Sequence, residues 1–319
     1  MSRVVVTGRI PQVAVARLRE SHDVDVWDST EPIAREELLR RVAGADAVVS
    51  LLTEQIDADL LDAAGPQLQV VANVAVGYDN VDVPVCRERG VVVANTPDVL
   101  TEATADIALA LILMSTRRLG EGERLIRGGE PWQWGMSFML GSGLQGKTLG
   151  VIGLGGIGRA TARRARAFGM DVVYSSRSAC PPEVAEELGA RRLELPELLA
   201  AADVVSVHCP YSDDTHHLIG PAELAAMQPT AYLVNTARGP IVDEAALATA
   251  LRDGQIAGAG LDVFEEEPAV HEGLLALANV VLLPHLGSAT VETREAMATL
   301  AADNVLAVLS GGSAPTPVG

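Results

Sequence analysis

A chain of 319 residues, 48% of them hydrophobic, is long enough for two domains with substantial cores. A formal net charge of −18 argues against non-specific attraction to nucleic acid or an anionic membrane. Cys86, Cys180 and Cys209 lie far apart without CxxC spacing, and no uncharged apolar run reaches the length of a membrane span. Neither a disulfide framework nor a metal site is expected, and a cytoplasmic protein is. Lys147 is the single lysine, so binding any anion requires arginines and helix N-termini to be concentrated locally.

Short β-branched runs alternate with amphipathic stretches from the first residues. "RVVVTG" precedes "QVAVARLRES", "DAVVSLL" precedes "DADLLDAAG", and "LQVVANVAVG" and "GVVVANTP" follow. This rhythm predicts parallel strands covered by helices. After Pro97, "TEATADIALALILMSTRRLGEGERLI" reads as one long apolar-striped segment with Thr101 as its N-cap. A second series of strands begins at "KTLGVIGLGG" and continues through "DVVSVHCP", "AYLVNTARG", "GAGLDVF" and "NVVLLP", before a last helix in "VETREAMATLAADNVLAVLSGG". The economical fold class is α/β, with two Rossmann-like, doubly wound parallel-sheet domains. Crossovers near "NTPDVL" and "PHLGSAT" insert residues 99–287 into a discontinuous domain of 1–98 plus 288–319.

"VIGLGGIGRA" holds Gly153, Gly155 and Gly158 in GxGxxG spacing between a strand (149–152) and a helix (157–168). That context marks a dinucleotide loop: Gly153 for the tight turn, Gly155 for backbone approach to pyrophosphate, and Gly158 for helix–strand packing. Gly156 and Ile157 complete the helix N-terminus that would face the phosphates. About 20 residues on, an acidic residue would grip a ribose 2′-hydroxyl. The chain offers Ser175, Ser176 and Arg177 instead. A carboxylate about 4 Å from a 2′-phosphate would cost about 4 kcal/mol at an effective dielectric of 20. Replacing it by a guanidinium and hydroxyls favours NADP(H), with NAD(H) still possible.

Three charged groups stand at predicted strand ends: Arg238 in "LVNTARGPIVDEAAL", Glu267 in "GLDVFEEEP" and His285 in "VVLLPHLGSAT". Ligands of open α/β sheets bind beyond the carboxyl ends of strands, so these three are candidates for one site.

At these residues the sequence closely resembles the D-2-hydroxyacid dehydrogenase family. "NVAVGYDNVD", "NTPDVLTEATAD", "KTLGVIGLGGIG", "NTARGPIVDEAAL", "LDVFEEEP" and "PHLGSAT" occur in the family's order over nearly the whole chain. Among members it looks most like the glyoxylate/hydroxypyruvate reductases. The resemblance implies that Arg238 holds the substrate carboxylate and polarises the keto oxygen. It implies that His285 gives that oxygen a proton as hydride arrives, and that Glu267 holds the imidazole and favours its protonated form. By the same carry-over, the amides of Val76 and Gly77 contact the carboxylate, and Leu52 bounds the substrate's side-chain pocket. Thr104, Cys209, Pro210, Thr236, Ala237, Asp262, His285 and Gly287 line the cofactor groove, with Asp262 on the nicotinamide amide. Two departures stand out: Gly156 replaces an arginine common in the family's loop, and Ser176 stands where NAD-binding relatives carry an acid.

His22, His208, His216, His217 and His271 lack such context and read as structural or solvated. Cys209 reads as a small buried residue rather than a nucleophile, and Asp243 and Glu244 read as helix-start acids. Trp132, Trp134 and Phe138 gather three of the chain's ten aromatics within seven residues. In the resembling reductases this segment belongs to the dimer interface, and Phe138 would reach the neighbour's active site. The expectation is a homodimeric NADPH-dependent reductase of glyoxylate or hydroxypyruvate. The alternatives are the same chemistry on phosphoglycerate, a branched 2-keto acid or phosphite, and a nicotinamide-gated, corepressor-like binding protein.

Overall fold

The computed structural model describes all 319 residues and divides into two units, Met1–Leu100 with Ser288–Gly319, and Thr101–Gly287. The second is thus inserted into the first along the chain.

The first unit holds β1 (Arg3–Val6), β2 (Asp23–Val26), β3 (Ala47–Ser50), β4 (Val70–Asn73) and β5 (Val92–Ala94). All pair in parallel, in the order β2-β1-β3-β4-β5. Every residue of β3 and β4 is buried, which is why these strands read as valine-rich runs closed by Ser50 and Asn73 rather than as alternating ones. Leu38, Val42, Leu60 and Leu61, on the helices Arg35–Val42 and Ala58–Ala64, belong to the core with Val48 and Val71. The last long helix, Val291–Leu309, returns to pack against the helix Gln12–Arg19 and against β3 and β4. It buries Met297, Ala298, Ala301, Ala302 and Val305 along one stripe. Thr290 caps it, its side chain accepting from Thr293 N.

The second unit holds β6 (Thr148–Ile152), β7 (Asp171–Ser175), β8 (Arg191–Arg192), β9 (Val204–Val207), β10 (Tyr232–Asn235), β11 (Gly258–Leu261) and β12 (Val280–Leu282). They form one parallel sheet in the order β12-β11-β10-β9-β6-β7-β8. The strand order reverses between β6 and β9, the place where such sheets bind ligands. The protein is therefore α/β with two parallel-sheet units, and no helix is long and apolar enough to cross a membrane.

One local expectation is corrected. The segment from Thr101 is two helices, Thr101–Thr116 and Leu119–Arg127, and Thr101 is the first helical residue rather than a cap. Arg118 breaks the run with φ of 55°. Its guanidinium is held by the Glu121 carboxylate at 2.6 and 2.9 Å and reaches the Leu140 carbonyl at 3.4 Å, which stabilises the reversal. The apolar periodicity continues across the break, so the sequence pattern alone does not show it.

Candidate active site

The glycine loop joins β6 to the helix Gly156–Ala167. Gly153 has φ of +92°, and a Cβ there would lie 2.5 Å from the Cys209 amide nitrogen. A Cβ on Gly158 would overlap the Gly153 carbonyl oxygen. Those two glycines are demanded by the protein's own backbone. Gly155 is different: its φ is −78°, and a Cβ would meet nothing within 4 Å. It is the N-cap residue and offers no side chain to the helix, so the first-turn amides of Gly156, Ile157 and Gly158 are donors without helical acceptors. Open space over unclaimed amides at a helix N-terminus suits a phosphate. The buried Thr236 hydroxyl, beyond β10, also has no hydrogen-bond partner in the protein. The cradle thus fits a dinucleotide, with Cys209 and Pro210 following β9 beside Gly153.

At the end of β7 Ser175 is half-buried, as is Ser176 just beyond it, and Arg177 is exposed. The Ser176 hydroxyl donates to the Ser178 carbonyl at 2.7 Å. Arg192, at the end of β8, donates to the carbonyls of Ser176 at 2.8 Å and Arg177 at 3.2 Å. Sequence reading missed Arg192 because only the pairing of β7 with β8 brings it there.

Arg238, Glu267 and His285 follow three adjacent strands, β10, β11 and β12. Asn235 ends β10, and its side chain closes the arginine loop. Its amide donates to the Arg238 carbonyl at 2.8 Å while its oxygen accepts from Ala237 N at 3.0 Å. The Arg238 guanidinium donates to the Ala237 carbonyl at 2.9 Å. Just beyond, a Cβ on Gly239 would overlap the Phe264 carbonyl, so the arginine loop lies directly on the loop that carries Glu267.

Glu267 Oε2 lies 2.8 Å from His285 Nδ1, and Oε1 accepts from Phe264 N at 3.0 Å. Burial raises the Glu267 pKa, but the His285 hydrogen bond, its charge, the Phe264 amide and the nearby Arg238 outweigh that, and the carboxyl sits below its ordinary value. An ionised carboxylate only accepts, so Nδ1 carries the shared hydrogen and Nε2 is the nitrogen left to gain and give a proton.

His285 itself has φ of 52°. A non-glycine residue in the left-handed region costs about 1–3 kcal/mol and persists only where its surroundings hold it. Asp262 does the holding. Its carbonyl accepts from His285 N at 2.9 Å, and its two carboxylate oxygens accept from Leu286 N and Gly287 N, both at 2.7 Å. Burial raises the Asp262 pKa, with those amides opposing. A Cβ on Gly287 would sit 3.3 Å from Asp262 and from the methyl of buried Thr104, so these three expected groove residues are packed together.

Glu244 has more partners than a helix-start acid needs. Asp243 caps the helix Glu244–Arg252, accepting from Ala246 N at 2.8 Å. Buried Glu244 accepts from Glu265 N at 2.6 Å and His271 N at 3.2 Å, while Glu265 accepts from Glu244 N at 2.7 Å and pairs with His217 at 3.1 Å. This exchange of carboxylates fastens the Glu267 loop to the helix that follows Arg238. No sequence spacing announces it, since the partners are 21 residues apart.

In the first unit, Leu52 is half-buried in the loop after β3, and Val76 and Gly77 form the turn after β4. The Ala75 carbonyl accepts from Thr96 N at 2.8 Å and the Val76 carbonyl from the Asn95 side chain at 2.8 Å. In a trans peptide the N–H points opposite its C=O, so these bonds set the directions of the Val76 and Gly77 amides, which donate to no group of the protein. Two adjacent amides without protein acceptors are donors available to an anionic group.

Phe138 stacks on Trp132, with centroids 6.0 Å apart, and Trp132, Trp134, Met136 and Leu140 are all exposed. The neighbouring helix Leu119–Arg127 buries no residue at all.

A parallel α/β sheet with a glycine cradle at its reversal and an Arg–Glu–His set on three strand ends defines a nicotinamide-linked oxidoreductase architecture. The family profile described as "D-isomer specific 2-hydroxyacid dehydrogenase, NAD binding domain" matches residues 109–287. The glyoxylate reductase of Thermococcus onnurineus is 50% identical over 321 aligned residues, covering 99% of this chain and 95% of that protein. Among solved structures, the TT0316 protein from Thermus thermophilus aligns with a TM-score of 0.93 and 47% identity, over 99% of this chain and 100% of that one. The NADPH-dependent glyoxylate/hydroxypyruvate reductase from Sinorhizobium meliloti, in complex with NADP and malonate, aligns at 0.86 and 39% identity, over 100% of this chain and 97% of that one. The chain belongs to the D-isomer specific 2-hydroxyacid dehydrogenase family and is an enzyme of that family.

Proposed function

We propose that the protein reduces a small 2-keto acid, glyoxylate or hydroxypyruvate, to the D-2-hydroxy acid with a preference for NADPH. The observation that carries the chemistry is the 2.8 Å pair of Glu267 and His285 on strand ends next to Arg238. The Arg238 guanidinium holds the substrate carboxylate by paired hydrogen bonds and polarises the keto oxygen. The imidazolium of His285 donates its Nε2 proton to that oxygen as it becomes an alkoxide, and the Glu267 carboxylate stabilises the cationic ring beforehand. A bound reduced nicotinamide supplies the hydride taken up by the carbonyl carbon. Val76 and Gly77 would offer amides to the substrate carboxylate, and Leu52 would face its side chain.

Gly153, Gly155, Gly156, Ile157 and Gly158 would hold the pyrophosphate, and Ser175, Ser176 and Arg177 a 2′-phosphate. Supporting the preference, the related Sinorhizobium reductase is NADPH-dependent and was solved with NADP. The three free cysteines suit a reducing cytoplasm, and the exposed aromatic segment suits a homodimer.

The test is initial-rate reduction of both acids with NADPH and NADH side by side. A kcat/KM advantage for NADPH of about tenfold or more, worth about 1.4 kcal/mol, is expected. An NADH preference would overturn the cofactor assignment. Tight cofactor binding without turnover of any 2-keto acid would overturn the enzymatic reading and favour a cofactor-gated binding protein.

A further inference from the structure

Thr7, Ser50, Glu54, Asn73 and Asn80 are all buried in the first unit, among valines and leucines. Buried polar groups are costly unless bonded, so their partners show what they are for. The Glu54 carboxylate accepts from Leu51 N at 2.7 Å and from the hydroxyls of Thr7 and Thr53. Asn80 donates to the carbonyls of Leu51 at 3.1 Å and Glu54 at 2.9 Å, and faces Asn73 at 3.1 Å. Asn73 in turn donates to the Gly77 carbonyl at 3.0 Å and accepts from the Ser50 hydroxyl at 3.0 Å. The result is one continuous chain of hydrogen bonds from the 51–54 loop to the 76–77 turn.

Its place in the fold matters. Thr7 directly follows β1 and Ser50 ends β3, the strands between which this sheet reverses its order. The carboxyl side of such a reversal is where ligands bind. Within the loop, Leu51 is tied at both its N–H and its C=O, and its side chain lies so close to Gly8 that a Cβ there would overlap Leu51 Cδ1. Thr53 and Glu54 are likewise anchored. Leu52 alone makes no such bond, and its side chain is half-exposed. Its direction is therefore set by its clamped neighbours. A buried carboxylate is costly unless hydrogen-bonded, and Glu54 is supplied by donors from Thr7, Leu51 and Thr53, which ties the 51–54 loop to the end of β1.

We propose that Glu54 and Asn80 are positioning residues that hold Leu52 at a fixed distance from the Val76–Gly77 turn, and so set the size of 2-keto acid accepted. This rests on the reading of Leu52 and the turn as substrate contacts. Asn80→Ala removes the bridge, and Glu54→Gln keeps an acceptor for Leu51 N. The readout is the ratio of kcat/KM for glyoxylate to that for hydroxypyruvate, measured also in a Leu52→Ala background.

Asn80→Ala shifts the ratio about tenfold toward the larger acid, a size discrimination of the order one methylene provides. Glu54→Gln keeps the wild-type ratio, the KM for cofactor stays constant, and in Leu52→Ala the Asn80 substitution has no further effect. An unchanged ratio with only a lowered melting temperature, or the same shift with Leu52 absent, overturns the proposal. If Asn80→Ala does not fold, Thr7→Val, nearly isosteric and lacking one donor to Glu54, is subjected to the same comparison. A wild-type enzyme that turns over neither acid refutes the functional reading itself and this inference with it, an outcome distinct from a working enzyme with an unmoved ratio.

Discussion

The carboxylate of Glu267 is shared between two elements, Oε2 on His285 Nδ1 at 2.8 Å and Oε1 on the Phe264 amide at 3.0 Å. It therefore fixes both the tautomer and the direction of the imidazole. If His285 is the proton donor, His285→Gln lowers kcat for reduction by about 10²–10⁴, the span of general acid catalysis. Glu267→Gln has a smaller effect, about tenfold for each ~1.4 kcal/mol of imidazolium stabilisation lost. Both losses should fall on the chemical step, read as single-turnover rates at saturating substrate and cofactor. A His285→Gln single-turnover rate equal to that of wild type, with chemistry limiting, would remove His285 from the role.

The same carboxylate gives an expectation for stability on the acid side. Its folded pKa lies below the ordinary value, so its stabilising contribution is present above the usual carboxylate range and is lost as pH falls through the depressed value. His208 adds to this loss. Desolvation pushes its pKa from 6.5 down to about 4, and its Nδ1 is sealed without a partner while Nε2 lies 2.8 Å from the Ser206 hydroxyl. Stability owed to the neutral ring is intact above pH 6.5 and lost toward pH 4, by at most about 3 kcal/mol and less because the residue is only half-buried. Thermal melts of wild type and His208→Gln between those pH values should diverge, the variant losing less.

Gly153 and Gly155 separate folding from binding. Gly153→Ala must adopt a left-handed backbone and clash with Cys209, so it should lower the melting temperature and weaken cofactor binding together. Gly155→Ala has ordinary φ and free space, so it should melt like wild type yet bind cofactor at least tenfold more weakly. Calorimetric titration with NADPH beside melting curves distinguishes the two. Equal cofactor affinity in Gly155→Ala and wild type would move the pyrophosphate elsewhere.

Arg177 carries the cofactor preference if the 2′-phosphate reading holds. Arg177→Ala should raise KM for NADPH about tenfold with little change for NADH, and Ser176→Asp should invert the preference. Arg192 grips only the backbone of that loop, so Arg192→Ala should loosen NADPH binding less than Arg177→Ala does. Parallel loss for both cofactors in Arg177→Ala would make it a structural residue.

Trp132, Trp134, Met136 and Leu140 are exposed beside a helix with no buried residue, and contiguous apolar surface of this kind marks interaction sites. Sedimentation at micromolar concentration should show a dimer that Trp134→Asp weakens. A monomeric wild type would refute the interface.

The sequence by itself was enough for the layered α/β architecture, because fully buried parallel strands such as β3 and β4 need valine-rich runs and their helices need an apolar stripe. It also showed the GxGxxG loop and the strand ends bearing Arg238, Glu267 and His285, since a tight turn and a charge after an apolar run are local features. The break at Arg118 was hidden, as the apolar pattern runs on across it and the Arg118 side-chain bonds to Glu121 and Leu140 help hold the turn. Hidden too were the three-point grip of Asp262 on residues 285–287, the exchanged carboxylates of Glu244 and Glu265, and the Glu54–Asn80 bridge. Each joins residues far apart in the chain, and a buried acid or amide looks like any surface one until packing removes its water. Tertiary structure alone chose their partners, because only there does an unbonded polar group become too costly to keep.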